Sequence, residues 1–188
     1  MKRILFQSIR LTLVFTALTG LLYPLMVTGI AQWLFRDQAN GSLVLRDGEA
    51  VGSALLAQSF TSPRYFWPRP SSCGYSTVPS GASNLGPTSR LLQSNVNDRV
   101  QAFRAANGLA EGEAVPADFA YASGSGLDPH ISPEAAHAQI ARVAAARQLE
   151  PAKVDVLVTQ FVEPPQLGFL GEPRVNVLLL NLALDGIE

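Results

Sequence analysis

Between Arg10 and Arg36 the chain runs for 25 residues, Leu11 to Phe35, without one charged side chain. As an α-helix rising about 1.5 Å per residue it would be about 37 Å long. That exceeds the roughly 30 Å hydrocarbon core of a bilayer and leaves room for tilt. A cleavable signal peptide shares the basic start supplied by Lys2, Arg3 and Arg10, but its apolar core is about 7–15 residues. The best small-x-small cleavage candidate, Gly29-Ile30-Ala31, lies deep in the run. The length therefore predicts an uncleaved transmembrane helix over residues 11–35, preceded by a cytoplasmic arm over 1–10.

Orientation follows from Lys and Arg near the ends of the span. Three fall in the ten-residue arm, whereas Arg36 and Arg46 follow the span at wider spacing. The bias predicts a cytoplasmic N-terminus and a domain, 36–188, on the far side of the membrane, with Trp33 at the interfacial aromatic belt. Within the span, Thr12, Thr16, Gly20, Pro24, Thr28 and Gln32 recur at every fourth position. Small residues let helices approach closely, and Thr or Gln can bond across the contact. A plain lipid anchor also tolerates such residues, but six in register favour partner contact. A spacing of four drifts by about 40° per step against 3.6 residues per turn, so the stripe should wind around the helix.

The 153 residues after the span are enough for one domain with a core. Without the arm, 11 Lys and Arg face all 15 acids, and Lys153 is the only lysine. No clustered basic surface for nucleic acid or anionic lipid is expected. Cys73 is the sole cysteine, which excludes an intrachain disulfide and a cysteine metal cluster.

Asp47-Gly48 suggests a hairpin between two extended pieces in 42–51, followed by a short helix over 52–60. Residues 61–87 are rich in Pro, Ser and Gly, yet carry Tyr65, Phe66, Trp67, Arg69 and Tyr75. Such aromatic content predicts an ordered loop packed on the domain or on a partner. Thr88 is expected to cap a helix to Asn107 with Leu92, Val96, Val100 and Phe103 on one face, and Asn107-Gly108 to stop it. Residues 109–118 read as loop. Ser132-Pro133-Glu134 starts a helix to about Gln148, with Ala136, Ile140, Val143 and Ala144 inward and Arg142 and Arg147 favouring its C-terminal half. A third helix runs from Pro151 on Val154, Leu157, Val158 and Phe161 until Pro164-Pro165. The alternation of Leu178, Leu180, Leu182 and Leu184 predicts a buried strand over 175–184. The fold class expected is a single N-terminal transmembrane helix plus one α+β extracytoplasmic domain.

Catalytic chemistry is thin. His130 and His137 are the only histidines, seven positions apart rather than at the i, i+4 spacing of a helical ligand pair. With Arg69, Asp128 and His130 could form an acid–base or partner site. The simpler reading is a structural turn leading into a helix, with the Asp side chain satisfying backbone N–H groups. The Gly/Ser turns Ser80-Gly81-Ala82-Ser83-Asn84-Leu85-Gly86 and Ser123-Gly124-Ser125-Gly126 could hold an anion on backbone N–H groups. Neither has a GK[ST] ending, and no serine sits in a GxSxG setting. A membrane-anchored periplasmic hydrolase using Asp128 and His130, and a binding module using the aromatic loop, are two readings these residues leave open.

The segments LTGLLYPLMVTGIAQ (18–32), GSALLAQSF (52–60), YFWPRPSS (65–72), SGASNLGPTS (80–89), SGSGLDPHISPEAAHAQIARVAAAR (123–147) and GFLGEPRVNVLLLNLALD (168–185) occur in that order. Together they resemble the C-subunit family of the Kdp potassium-transporting ATPase, over nearly the whole chain. The resemblance implies a bacterial inner-membrane complex of a potassium-channel-like subunit, a P-type ATPase subunit and a small membrane subunit. ATP and potassium would be handled by the complex, and this chain would need no cofactor of its own. Its implied role is to promote assembly and raise the ATP affinity of the ATPase subunit. The family's nucleotide turn would correspond to Ser80, Gly81, Ser83, Asn84 and Gly86, with Ala82 replacing a second glycine, which removes freedom to adopt φ > 0. The topology read from the charges would hold that turn away from cytoplasmic ATP and favours action through the span and the channel's outer face.

Overall fold

The computed structural model describes residues 1–187. They form two compact units, one of Met1–Leu43 and one beginning at Val44.

The first unit is a long helix. Lys2–Leu34 is apolar and long enough to cross a membrane, and none of it is buried within the chain. It comprises α1 (Lys2–Ala17), a π-helical turn (Leu18–Leu22) and α2 (Tyr23–Leu34). Pro24 has no N–H to give the Gly20 carbonyl, and its ring crowds that carbonyl. The wider turn relieves this, with the Tyr23 N–H reaching back to the Leu18 carbonyl. A short helix, α3 (Arg36–Ala39), follows; Asn40 bonds the Arg36 carbonyl at 2.7 Å and the Gln32 amide at 3.2 Å.

The expected hairpin follows, β1 (Leu43–Arg46) and β2 (Glu49–Ser53), turning on Asp47 and Gly48, both at positive φ. A separate antiparallel sheet has the order β3 (His130–Ile131), β5 (Arg174–Asn176), β4 (Val162–Glu163). Val175 stands at its centre, opposite Ile131 on one side and Val162 on the other. Around the sheet lie α4 (Arg90–Asn107), α5 (Ala117–Ala120), α6 (Pro133–His137), α7 (Ile140–Arg147), α8 (Pro151–Gln160) and α9 (Val177–Asp185). Phe66, Phe103, Ile131, Val143, Val154, Val158, Val175, Leu180 and Leu184 form the core. This is an α+β region, as expected.

Several local expectations are corrected. Residues 177–185 are helix rather than strand. Asn176 caps it, its Oδ1 accepting from the Leu179 N–H at 3.2 Å. The buried positions Val177, Leu180, Asn181 and Leu184 follow i, i+3, i+4, i+7. A polar residue inside that stripe, amid many leucines, gave the false alternation. Residues 52–60 are not helical: β2 continues to Ser53, the Ala54 carbonyl accepts from Asn176, and the Ala57 N–H reaches the Leu127 carbonyl. These long-range bonds outweigh local helix preference.

The helix expected over 133–148 breaks between His137 and Ile140. Its Ser132 cap and its inward Ala136, Ile140, Val143 and Ala144 stand as read. The cap of α4 is Ser89 rather than Thr88, and Gly108 ends the helix in the left-handed conformation. Of its apolar stripe only Phe103 is fully buried. The loop expected over 109–118 gives way to α5, which starts at Ala117 and buries Phe119. Helix α8 stops at Gln160, before its prolines, because Val162 and Glu163 join the sheet.

Candidate functional site

The aromatic loop is ordered because buried polar side chains bind its backbone. Arg142 donates to the Pro63 carbonyl at 2.8 Å and the Tyr65 carbonyl at 3.0 Å, and also to Asn107 Oδ1 and Gln139 Oε1. Its guanidinium lies 4.0 Å from the Trp67 ring centre. Gln139 Oε1 accepts from the Trp67 N–H at 2.8 Å, and the Asn181 amide pairs with both backbone groups of Phe66. Arg147 donates to the Arg64 carbonyl and to Asp185, and stacks over Tyr65. Burial draws the Arg142 pKa down to about 10, so the side chain is still a cation at neutral pH. Arg142 and Arg147 thus clamp the loop, where the sequence suggested only dipole partners for their helix. The break before α7 coincides with Gln139, whose buried amide spans Ala135 and Trp67.

Arg69, Asp128 and His130 come together. Arg69 pairs with Asp128 Oδ2 at 2.9 Å, and its buried Nε stands 3.6 Å from Asp118 Oδ1. Asp128 Oδ1 accepts from the His130 N–H at 3.0 Å, with the imidazole Nδ1 at 3.7 Å. Burial pushes the Asp128 carboxyl up, but the His130 hydrogen bonds and the Arg69 guanidinium outweigh it and hold it down at about 2. Asp118, missed in the sequence, also accepts from the Ser132 N–H at 2.7 Å. Both carboxylates are thus engaged in fixing Arg69 and the start of α6. His137 lies elsewhere, 3.0 Å from Asp155.

The two Gly/Ser turns, read as separate features, pack together. Ser71 donates to the Gly126 carbonyl at 2.7 Å and contacts Cys73 Sγ. A Cβ added at Gly126, which has φ of +72°, would stand 2.5 Å from Cys73 Sγ and 3.0 Å from the Gly81 carbonyl. Gly81, Ala82 and Leu85 are half-buried, while Ser80, Ser83, Asn84 and Gly86 face solvent. Asn84 takes the left-handed conformation.

In the first unit, Thr12, Thr16, Gly20, Pro24, Thr28 and Gln32 are all exposed. The Gln32 amide is engaged by Asn40. A Cβ added at Gly20 would meet nothing within 4 Å. The π turn also straightens the stripe, since a step of four overshoots an α-turn but falls short of an i→i+5 turn.

The sequence matches a family profile described as K+-transporting ATPase, c chain, over residues 5–186. It is 54% identical over 191 residues to the potassium-transporting ATPase KdpC subunit of Polaromonas naphthalenivorans, covering 100% of this chain and 97% of that relative. Identity to the KdpC subunit of Rhodospirillum rubrum is 56% over 187 residues, covering 98% and 96%. The Mycobacterium tuberculosis KdpC subunit is 50% identical, with 98% and 99% covered.

Proposed function

The chain belongs to the KdpC family, the c chains of K+-transporting ATPases, and we propose that within such a pump it is a non-catalytic accessory subunit. The full-length match carries this reading. It is supported by the cluster of Arg69, Asp118, Asp128 and His130, where both carboxylates are committed to holding a cation and backbone N–H groups. Its partners are the channel-like and P-type ATPase subunits and the small membrane subunit. They occupy an inner membrane, with this chain's N-terminus cytoplasmic and its α+β domain periplasmic.

The helix is the primary grip. The hydroxyls of Thr12, Thr16 and Thr28 make no hydrogen bond among the described residues, and in hydrocarbon an unpaired hydroxyl favours a neighbour that can pair it. An ordered apolar turn offers a second contact: Gln166 and Leu170 bridge to each other while Leu167 is 82% and Phe169 75% exposed. Through these contacts the chain promotes assembly and raises the ATP affinity of the ATPase subunit indirectly, with the Ser80–Gly86 turn as a partner loop.

The test is to purify the pump with and without this chain and follow potassium-stimulated ATP hydrolysis. The expected result is a raised KM for ATP and a weakened complex without it, reversed by adding it back. Unchanged kinetics and assembly would overturn the reading.

A further inference from the structure

Between the aromatic loop and α4 lies an apolar cleft of about 310 Å³ that neither the membrane grip nor the apolar turn uses. That volume is at the small end of the range for small-molecule sites, about 300–1,000 Å³. Its walls are fixed. The Trp67 indole N–H donates to the Ser62 carbonyl at 3.0 Å, and Arg142 covers the ring. The Tyr75 hydroxyl donates to the Arg69 carbonyl at 3.0 Å. Phe103 and Phe119 stack with ring centres 4.2 Å apart. The polar ends of both polar rings are thus tied into the protein, so a ligand would meet apolar surface. The one charged group lining the cleft is Arg99, which has no carboxylate partner among the described residues.

We propose that this cleft binds a small amphipathic monoanion, an aryl or short alkyl carboxylate, with its apolar body against Trp67, Tyr75, Phe103 and Phe119 and its acid on Arg99. Preformed aromatic walls need little ordering on binding. A single guanidinium suits one carboxylate by charge-assisted hydrogen bonds, whereas a triphosphate would leave most of its charge uncompensated. The site would make the subunit responsive to a solute as well as a structural part.

The test uses the full chain in zwitterionic lipid nanodiscs and fluorine NMR of 4-[4-(trifluoromethyl)phenyl]butyrate, with its uncharged amide as comparison. The acid is expected to bind about tenfold more tightly than the amide, the effect of one charge-assisted hydrogen bond. Arg99→Gln should bring the acid to the level of the amide. Ala102→Trp, which places a ring into the cleft from an exposed position on α4, should abolish binding of both. Adding phosphatidylglycerol to the discs separates a free acid from a lipid headgroup, and the titration should be unchanged. Equal binding of acid and amide, insensitivity to Ala102→Trp, a signal equal to that of empty discs, or displacement by lipid or more readily by ATP than by carboxylates would overturn the proposal.

Discussion

Replacing Arg142 should unfasten the aromatic loop, and the cost can be worked from its contacts. Its guanidinium supplies Asn107 Oδ1 at 2.9 Å, the Pro63 carbonyl at 2.8 Å, the Tyr65 carbonyl at 3.0 Å and Gln139 Oε1 at 2.6 Å. In Arg142→Ala, Gln139 Oε1 keeps the Trp67 N–H, but the other three acceptors lose this donor. An unsatisfied buried acceptor costs about 1–3 kcal/mol, and the lost ring stacking adds about 0.5–2 kcal/mol. Relief of burying a cation, visible in the pKa drawn down to about 10, offsets part of this. A net loss of about 3 kcal/mol or more is expected, a large share of the roughly 5–15 kcal/mol that domains possess. Arg142→Lys should recover little, since one ammonium cannot span the same acceptors. The assay is urea unfolding of the full chain in mild nonionic detergent. Trp33→Phe serves as the parent, leaving Trp67 as the only indole. Lys153→Gln, on an exposed side chain, should stay within about 0.5 kcal/mol of the parent. An Arg142→Ala variant within about 1 kcal/mol of the parent would mean that Arg142 does not hold the loop.

Asp128 has a folded pKa of about 2 against an ordinary 3.8. A depressed carboxyl stabilises the fold above its unfolded pKa, and that stability is lost as pH falls through the folded one. After allowance for solvent screening it is worth about 1–2 kcal/mol, so Asp128→Asn should be destabilised at pH 6 and flatten the acid limb between about pH 4 and 2; an unchanged limb would contradict the pairing. A Cβ at Gly20 meets nothing within 4 Å in the chain, so the expected loss of pump assembly in Gly20→Leu would come from outside neighbours, with off-stripe Leu25→Ala as control. Intact assembly would count against the stripe. A phosphatase reporter at the C-terminus, active only after export, should be active; activity of a cytoplasm-only reporter there would reverse the proposed orientation.

What the sequence disclosed depended on whether a local pattern was also the deciding force. The long apolar helix was legible because charge is excluded over 25 residues, enough to cross a bilayer. Ser132, Asp47-Gly48 and the Val154–Leu157–Val158 stripe were legible because caps, turns and helical periodicity act within a few residues. The loop clamp was not. Gln139, Arg142, Arg147 and Asn181 bond to backbone 72–115 positions away, and nothing local marks that reach. The visible signals were Arg142 beside inward Val143, and Asn181 alone inside a leucine run. Asn181 also hid the period of α9, because a buried amide was counted as polar surface. Of the candidate site, Arg69, Asp128 and His130 were named but Asp118 was not, since it sits ten residues before Asp128 in what reads as loop.

The proposed role requires that larger subunits of a potassium pump grip this chain. The most direct measurement is to affinity-tag it, extract membranes in mild detergent and identify what elutes with it at native expression. Stoichiometric recovery of the channel-like and P-type ATPase subunits is predicted, together with potassium-stimulated ATP hydrolysis in the eluate. Elution of the chain alone, while those subunits assemble and pump without it, would show that it is not a subunit of the pump.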